Sequence, residues 1–156
     1  HILFSAVEEA RLGTVYPGAN VSDREEQWRQ NFRCPDVLVF INDNPAEDRE
    51  SHWYGGPDLA VEICSPHDRS YEKLAFYASV NTTEVLIVDR DPWQLVLYRL
   101  ADGAMAEVGR SKSENAAKLA SEVVPLTFQL SQVDDAPVID IVHRETAATW
   151  RIRSAG

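Results

Sequence analysis

Two short apolar runs hold the residues whose types could do chemistry. They are Cys34-Pro35-Asp36-Val37-Leu38-Val39-Phe40-Ile41 and Gly55-Gly56-Pro57-Asp58-Leu59-Ala60-Val61-Glu62-Ile63-Cys64-Ser65-Pro66. A charge inside a sheet core is costly unless it is paired or bound to a metal. If the runs are antiparallel neighbours joined by the loop between them, pairing Ile41 with Pro57 sets Asp36 opposite Glu62. Directly opposed residues carry Cβ atoms about 5 Å apart on one face. Two carboxylates so placed repel unless a cation lies between them or one is protonated. A hard divalent ion suits them, and magnesium (or manganese in its place) uses one or two carboxylates plus phosphate oxygens of a substrate. The plainer alternative is a strand-end aspartate making a turn and an edge-facing glutamate.

Lys73 follows on the helix expected after the second run. Its long amine can fold back over the strand end, orienting a water or offsetting charge on a phosphate. A solvated surface lysine is the alternative. Tyr77, one turn further on the same face, reads as packing. Asp58 shares a face with Glu62, but four residues along a strand span about 13 Å. It is therefore read as a strand-entry residue. The same register sets Cys34 opposite Cys64, read as two buried thiols rather than a redox pair. The four histidines lack metal spacing, and His67 alone lies close enough to Lys73 to count as peripheral.

The elements that must hold these groups follow from periodicity. Ile2 to Leu12 reads as the end of an amphipathic helix stopped by Gly13. Thr14 to Tyr16 is β-prone, and residues 19–32 read as a ragged strand and a loop. The unbroken run Val37 to Ile41 predicts a central strand covered on both faces. Asn42 to Pro57 reads as a loop, with Trp53 and Tyr54 packing back, and Leu59 to Ile63 as the next strand. Asp68 or Ser70 can cap a helix reaching about Val80. Strands are expected at Glu84 to Val88, Trp93 to Leu100 and Ala104 to Val108, the last two joined by an Asp102-Gly103 turn. Residues 110–122 are mostly polar. Val123 to Leu130, Val138 to Val142 and Thr149 to Ile152 are β-prone, the last two suiting an edge hairpin.

A chain of 156 residues with 44% hydrophobic content suits one well-buried domain. No apolar run approaches the roughly 18 residues a membrane helix needs, so no membrane partner is expected. The net charge of -10 counts against a passive nucleic-acid binder. It leaves room for an enzyme that meets phosphates through metal ions. Two cysteines outside any zinc spacing predict a reducing cytoplasm. A start at His1 without a charged leader predicts no signal peptide and an opening partway along a first helix.

Pro35-Asp36-Val37, Pro57-Asp58-Leu59-Ala60-Val61-Glu62-Ile63, Ser65-Pro66-His67-Asp68-Arg69, Glu72-Lys73-Leu74-Ala75-Phe76-Tyr77 and Glu84-Val85-Leu86-Ile87-Val88-Asp89 together resemble the Uma-two family over about residues 1–130. These are restriction-endonuclease domains of the PD-(D/E)XK nuclease superfamily. The resemblance implies an α/β (α+β) fold, a restriction endonuclease-like mixed sheet flanked by helices. Extra antiparallel hairpins would lie toward the C-terminus, with residues 131–156 an extension packed on the same domain. It makes Asp36 and Glu62 the two carboxylates, with the Ile63 carbonyl a third magnesium donor. Cys64 stands where the superfamily carries its lysine, a role that would pass to Lys73. Glu8 or Glu9 would supply the helix carboxylate that some members add.

The function so implied is divalent-metal-dependent hydrolysis of DNA phosphodiester bonds. The alternatives are a catalytically degenerate module that binds or forms a homodimer, and a metal-dependent hydrolase of another phosphoester. The acidic balance and Cys64 favour the first of these alternatives.

Overall fold

The computed structural model describes residues 1–65 and 69–153. In chain order its strands are β1 (Gly13–Pro17), β2 (Val21–Ser22), β3 (Phe32–Arg33), β4 (Val37–Ile41), β5 (Glu47–Asp48), β6 (Trp53–Tyr54) and β7 (Leu59–Ile63). Then come β8 (Glu84–Arg90), β9 (Trp93–Ala101), β10 (Ala104–Lys112), β11 (Leu119–Ala120), β12 (Leu126–Val133), β13 (Ala136–His143) and β14 (Thr149–Arg153). The helical pieces are short. α1 (Ile2–Phe4) runs into a π-helical turn at Ser5–Glu9, and a 3-10 turn at Ser70–Lys73 runs into α2 (Leu74–Ser79).

A six-stranded sheet in the order β1-β4-β7-β8-β9-β10 forms the centre. Its neighbours are antiparallel except β7 and β8, which run parallel, so the sheet is mixed. The chain between β7 and β8 must leave the sheet, cross a face and return. That crossover carries the 3-10 turn and α2. The family resemblance implied a mixed sheet flanked by helices; the structure is α+β, with a mixed central sheet and short helical pieces.

Both faces of the central sheet are covered, which is why its strands read as unbroken apolar runs. On one face Val39, Leu59, Val61, Leu86 and Leu97 pack against Leu126, Phe128, Leu130 and Ile141. The last four belong to a second sheet, β11-β12-β13-β14. On the other face Leu38, Phe40, Ala60, Ile87 and Val96 lie beneath Phe76, Tyr77 and Val80 of the crossover, with Val21 and Trp53 beside them. The crossover face is the one that matters for chemistry. No helix among the described residues is long and apolar enough to cross a membrane.

Several expectations need correcting. Gly13 does not stop a helix. The helical turns end at Glu9, Arg11 takes the left-handed φ of 58° in the turn, and Gly13 opens β1. A Cβ at Gly13 would lie 2.0 Å from the carbonyl oxygen of Phe40, so its bare backbone serves a close strand approach. The loop after β4 contains β5 and β6, which join β2 and β3 in a small sheet where Trp53 stacks on Phe40 with centroids 4.0 Å apart. The polar stretch after residue 109 continues β10 to Lys112 and then forms β11. The two tail strands form an antiparallel hairpin, β13 with β14, which joins the second sheet through β13 on β12 and leaves β14 at its edge. Ser70 is not a cap, because Arg69 holds that position and makes no side-chain cap bond; Asp68 lies outside the described residues.

A buried carboxylate ties the two large sheets together. Glu84 is 0% exposed. Its Oε2 accepts from Arg99 Nη2 at 2.7 Å and from the backbone N–H of Glu122 at 2.9 Å, while Oε1 accepts from the Ser121 hydroxyl.

Candidate active site

β4 and β7 pair antiparallel with Val37 opposite Val61, Leu38 opposite Ala60 and Val39 opposite Leu59. The ladder ends at Val37 and Val61, one residue short of Asp36 and Glu62, so the two carboxylates stand near one another at the strand ends, close enough for the Asp36 charge to act on Glu62. The two ends are knit further by bonds from the Asp36 N–H to the Val61 carbonyl at 3.0 Å and from the Ile63 N–H to Asp36 Oδ2 at 2.7 Å. Asp36 is solvent-exposed where the strand begins. Glu62 is only 2% exposed and lies on the crossover face.

Burial is the largest influence on Glu62 and pushes its pKa up, and the Asp36 charge pushes the same way. Bonds from Tyr77 and Lys73 act against that rise. Lys73 Nζ donates to Glu62 Oε2 at 3.1 Å, and the Tyr77 hydroxyl donates to Oε1. The amine thus folds back over the strand end as its position suggested. Its carrier is the 3-10 turn, which the β7–β8 crossover forces across this face. Tyr77 is four residues on, and helical spacing brings both donors to one side.

The other nominated residues sort plainly. Tyr77 is packed, at 0% exposed, yet it also bonds the carboxylate, a contact that its position among apolar neighbours concealed. Asp58 braces the turn after β4, its Oδ2 accepting from the Ile41 N–H at 2.7 Å and from Asn44 at 2.9 Å. Glu9 is exposed and accepts from the Ser5 hydroxyl at 2.9 Å. Cys64 is buried and Cys34 is exposed, so the expectation of two buried thiols fails for Cys34, which precedes the paired part of its strand. No disulfide joins them. Burial, then the charges of Asp36 and Glu62, raises the Cys34 thiol, and Lys73 lowers it. His67 lies outside the described residues.

Sequence reading missed a second polar cluster where β8 and β9 meet the crossover. The Tyr71 hydroxyl donates to Asp89 Oδ2 at 3.3 Å, and Gln94 Nε2 donates to the same hydroxyl at 3.2 Å. Burial and the Asp89 charge push Tyr71 up to about 12. It therefore stays protonated, a neutral clasp on the turn that carries Lys73. Gln94 could have been found only through its pairing with Asp89 across the β8–β9 hairpin.

Among the described residues no three His, Cys, Asp or Glu side chains gather as a metal cluster. A cation here would rest on two carboxylates and a main-chain carbonyl, with water and substrate filling the remaining positions. That all-oxygen donor set fits magnesium, which keeps several waters. A buried carboxylate beside a second negative charge also fits a place that favours positive charge.

The fold has a solved counterpart. A solved structure described as a putative nuclease belonging to DUF820 from Anabaena variabilis ATCC 29413 superposes with a TM-score of 0.53 at 17% identity, over 74% of this chain and 64% of that one. The chain thus spans less than two thirds of that protein's length. The sequence model of the family described as "Uma2: Putative restriction endonuclease" matches residues 1–132, and the chain belongs to that family. No curated protein matches the chain.

Proposed function

We propose that this domain is a divalent-metal-dependent endonuclease acting on DNA. The observation that carries the reading is Glu62, a nearly buried carboxylate with Lys73 Nζ at 3.1 Å and the charge of Asp36 close enough to raise its pKa. Asp36, Glu62 and the Ile63 carbonyl would hold magnesium or manganese. When bound, such an ion lowers the pKa of water and offsets charge at phosphorus.

The rest of the work falls to the chain. The Ile63 N–H holds Asp36 Oδ2, which fixes that carboxylate against the end of β7. Lys73 keeps a positive charge beside Glu62, where it can orient a water or stabilise charge on the phosphate. The crossover face supplies a dry wall of aromatic and aliphatic side chains behind Glu62. Plasmid cleavage with Mg²⁺ or Mn²⁺ tests the reading. Asp36→Ala and Glu62→Ala should each abolish it, and undiminished cleavage by either protein removes that residue from the mechanism.

A second reading is a nuclease-fold module that binds or dimerises without cleaving. The observation favouring it is Cys64, buried at 4% exposure where the superfamily has its in-strand lysine. Calorimetric titration with Mn²⁺ separates the two. A catalytic site binds the ion and loses it in Asp36→Ala, whereas a purely structural domain takes up none.

A further inference from the structure

The two oxygens of Glu62 have different surroundings. Oε2 meets the Lys73 amine, which is partly solvated, its side chain 26% exposed. Oε1 meets the Tyr77 hydroxyl inside the wall of the crossover face, where Tyr77 is 0% exposed. Tyr77 itself has little freedom. Its ring lies edge-on to Phe76 with centroids 5.7 Å apart, and the Arg33 guanidinium sits 5.0 Å over the Phe76 ring.

We infer that Tyr77 is a positioning residue whose hydroxyl anchors Glu62 Oε1 from the protein side and so holds the carboxylate in place for the cation. A glutamate has three side-chain torsions, and a buried one beside another negative charge is pressed to rotate away or to take a proton. A fixed donor on one oxygen opposes both responses. Groups that hold a metal-binding side chain in this way typically change metal affinity by about 10- to 100-fold when removed. The inference rests on the metal reading above and adds to it a residue that touches neither ion nor substrate.

The test is Mn²⁺ titration calorimetry on metal-stripped wild type, Tyr77→Phe, Glu62→Ala and Val80→Ala, each with an unfolding curve. Tyr77→Phe keeps the ring and loses only the hydroxyl. It should weaken Mn²⁺ binding by about 10-fold or more. Glu62→Ala should abolish binding. Val80→Ala loosens the same wall without touching Glu62, and should lower stability while leaving the dissociation constant within twofold. Tyr77→Phe binding as tightly as wild type overturns the inference while leaving the metal reading intact. Equal weakening in Val80→Ala also overturns it, since the effect would then be general packing. A wild type that takes no Mn²⁺ sinks the metal reading and this inference with it. Should Tyr77→Phe not fold, wild type carries the test by NMR. Substoichiometric Mn²⁺ must broaden the Tyr77 ring signals early, and signals that stay sharp reject the arrangement.

Discussion

Lys73 Nζ lies 3.1 Å from Glu62 Oε2, joining the parallel crossover to the strand it has just left. Removing the amine leaves a nearly buried carboxylate with the Tyr77 hydroxyl as its remaining side-chain donor among the bonds described. Lys73→Ala should lower stability at neutral pH by about 1–2 kcal/mol, a figure reduced because the amine is partly solvated. Urea unfolding measures that loss. Under the proposed function the same variant should retain Mn²⁺ and lose cleavage about 100-fold.

Glu62 also sets a pH dependence. Burial raises its folded pKa above the ordinary 4.5, so the folded protein binds this proton more tightly than the unfolded chain does. Its contribution to stability is complete below that ordinary value and is lost as pH rises through the raised one. Glu62→Gln removes the contribution. Chelator-treated wild type should therefore lose stability relative to Glu62→Gln as pH climbs from about 4 toward neutrality. Parallel pH profiles of the two unfolding midpoints would rule this out.

Glu84 should behave differently, because it lies on the face packed against the second sheet, opposite the crossover face that carries Glu62. Glu84→Ala strands the Arg99 guanidinium and the Ser121 hydroxyl around a void between the two large sheets. The cost should be about 3–5 kcal/mol in chemical denaturation. Mn²⁺ affinity of the folded fraction should be unchanged.

Gly13 offers a test of close strand approach. Gly13→Ala would push a methyl group to 2.0 Å from the Phe40 carbonyl oxygen, which is backbone and cannot swing aside. A destabilisation of about 3 kcal/mol is expected from thermal or urea unfolding. A near-neutral result would mean that β1 shifts freely on β4.

The heart of the site was legible in the sequence because two apolar runs bounded by Pro and Gly admit one sensible hairpin-like register. Val37 opposite Val61 is that register. Lys73 was legible too, since a helix after a buried strand has to return across its face. Tyr77 was not, because a tyrosine at helical spacing among Leu74, Ala75 and Ala78 looks like any core aromatic, and only coordinates reveal where its hydroxyl points. The two-residue strands β5 and β6 are too short to show a period of two. They exist because Trp53 finds Phe40 to stack on. The second sheet eluded the reading for a related reason. Each of its strands alternates acceptably alone, yet which strand it joins depends on burial against Val39 and Leu59, far away along the chain.

The parallel pairing of β7 with β8 has a consequence for how such a domain can change. The segment between Ile63 and Glu84 is obligatory for tying the sheet together, whatever side chains it displays. Lysine and tyrosine can be exchanged along it while the span itself stays in place. Under the proposed function, a copy that loses Lys73 or Asp36 would therefore lose cleavage before it loses its scaffold.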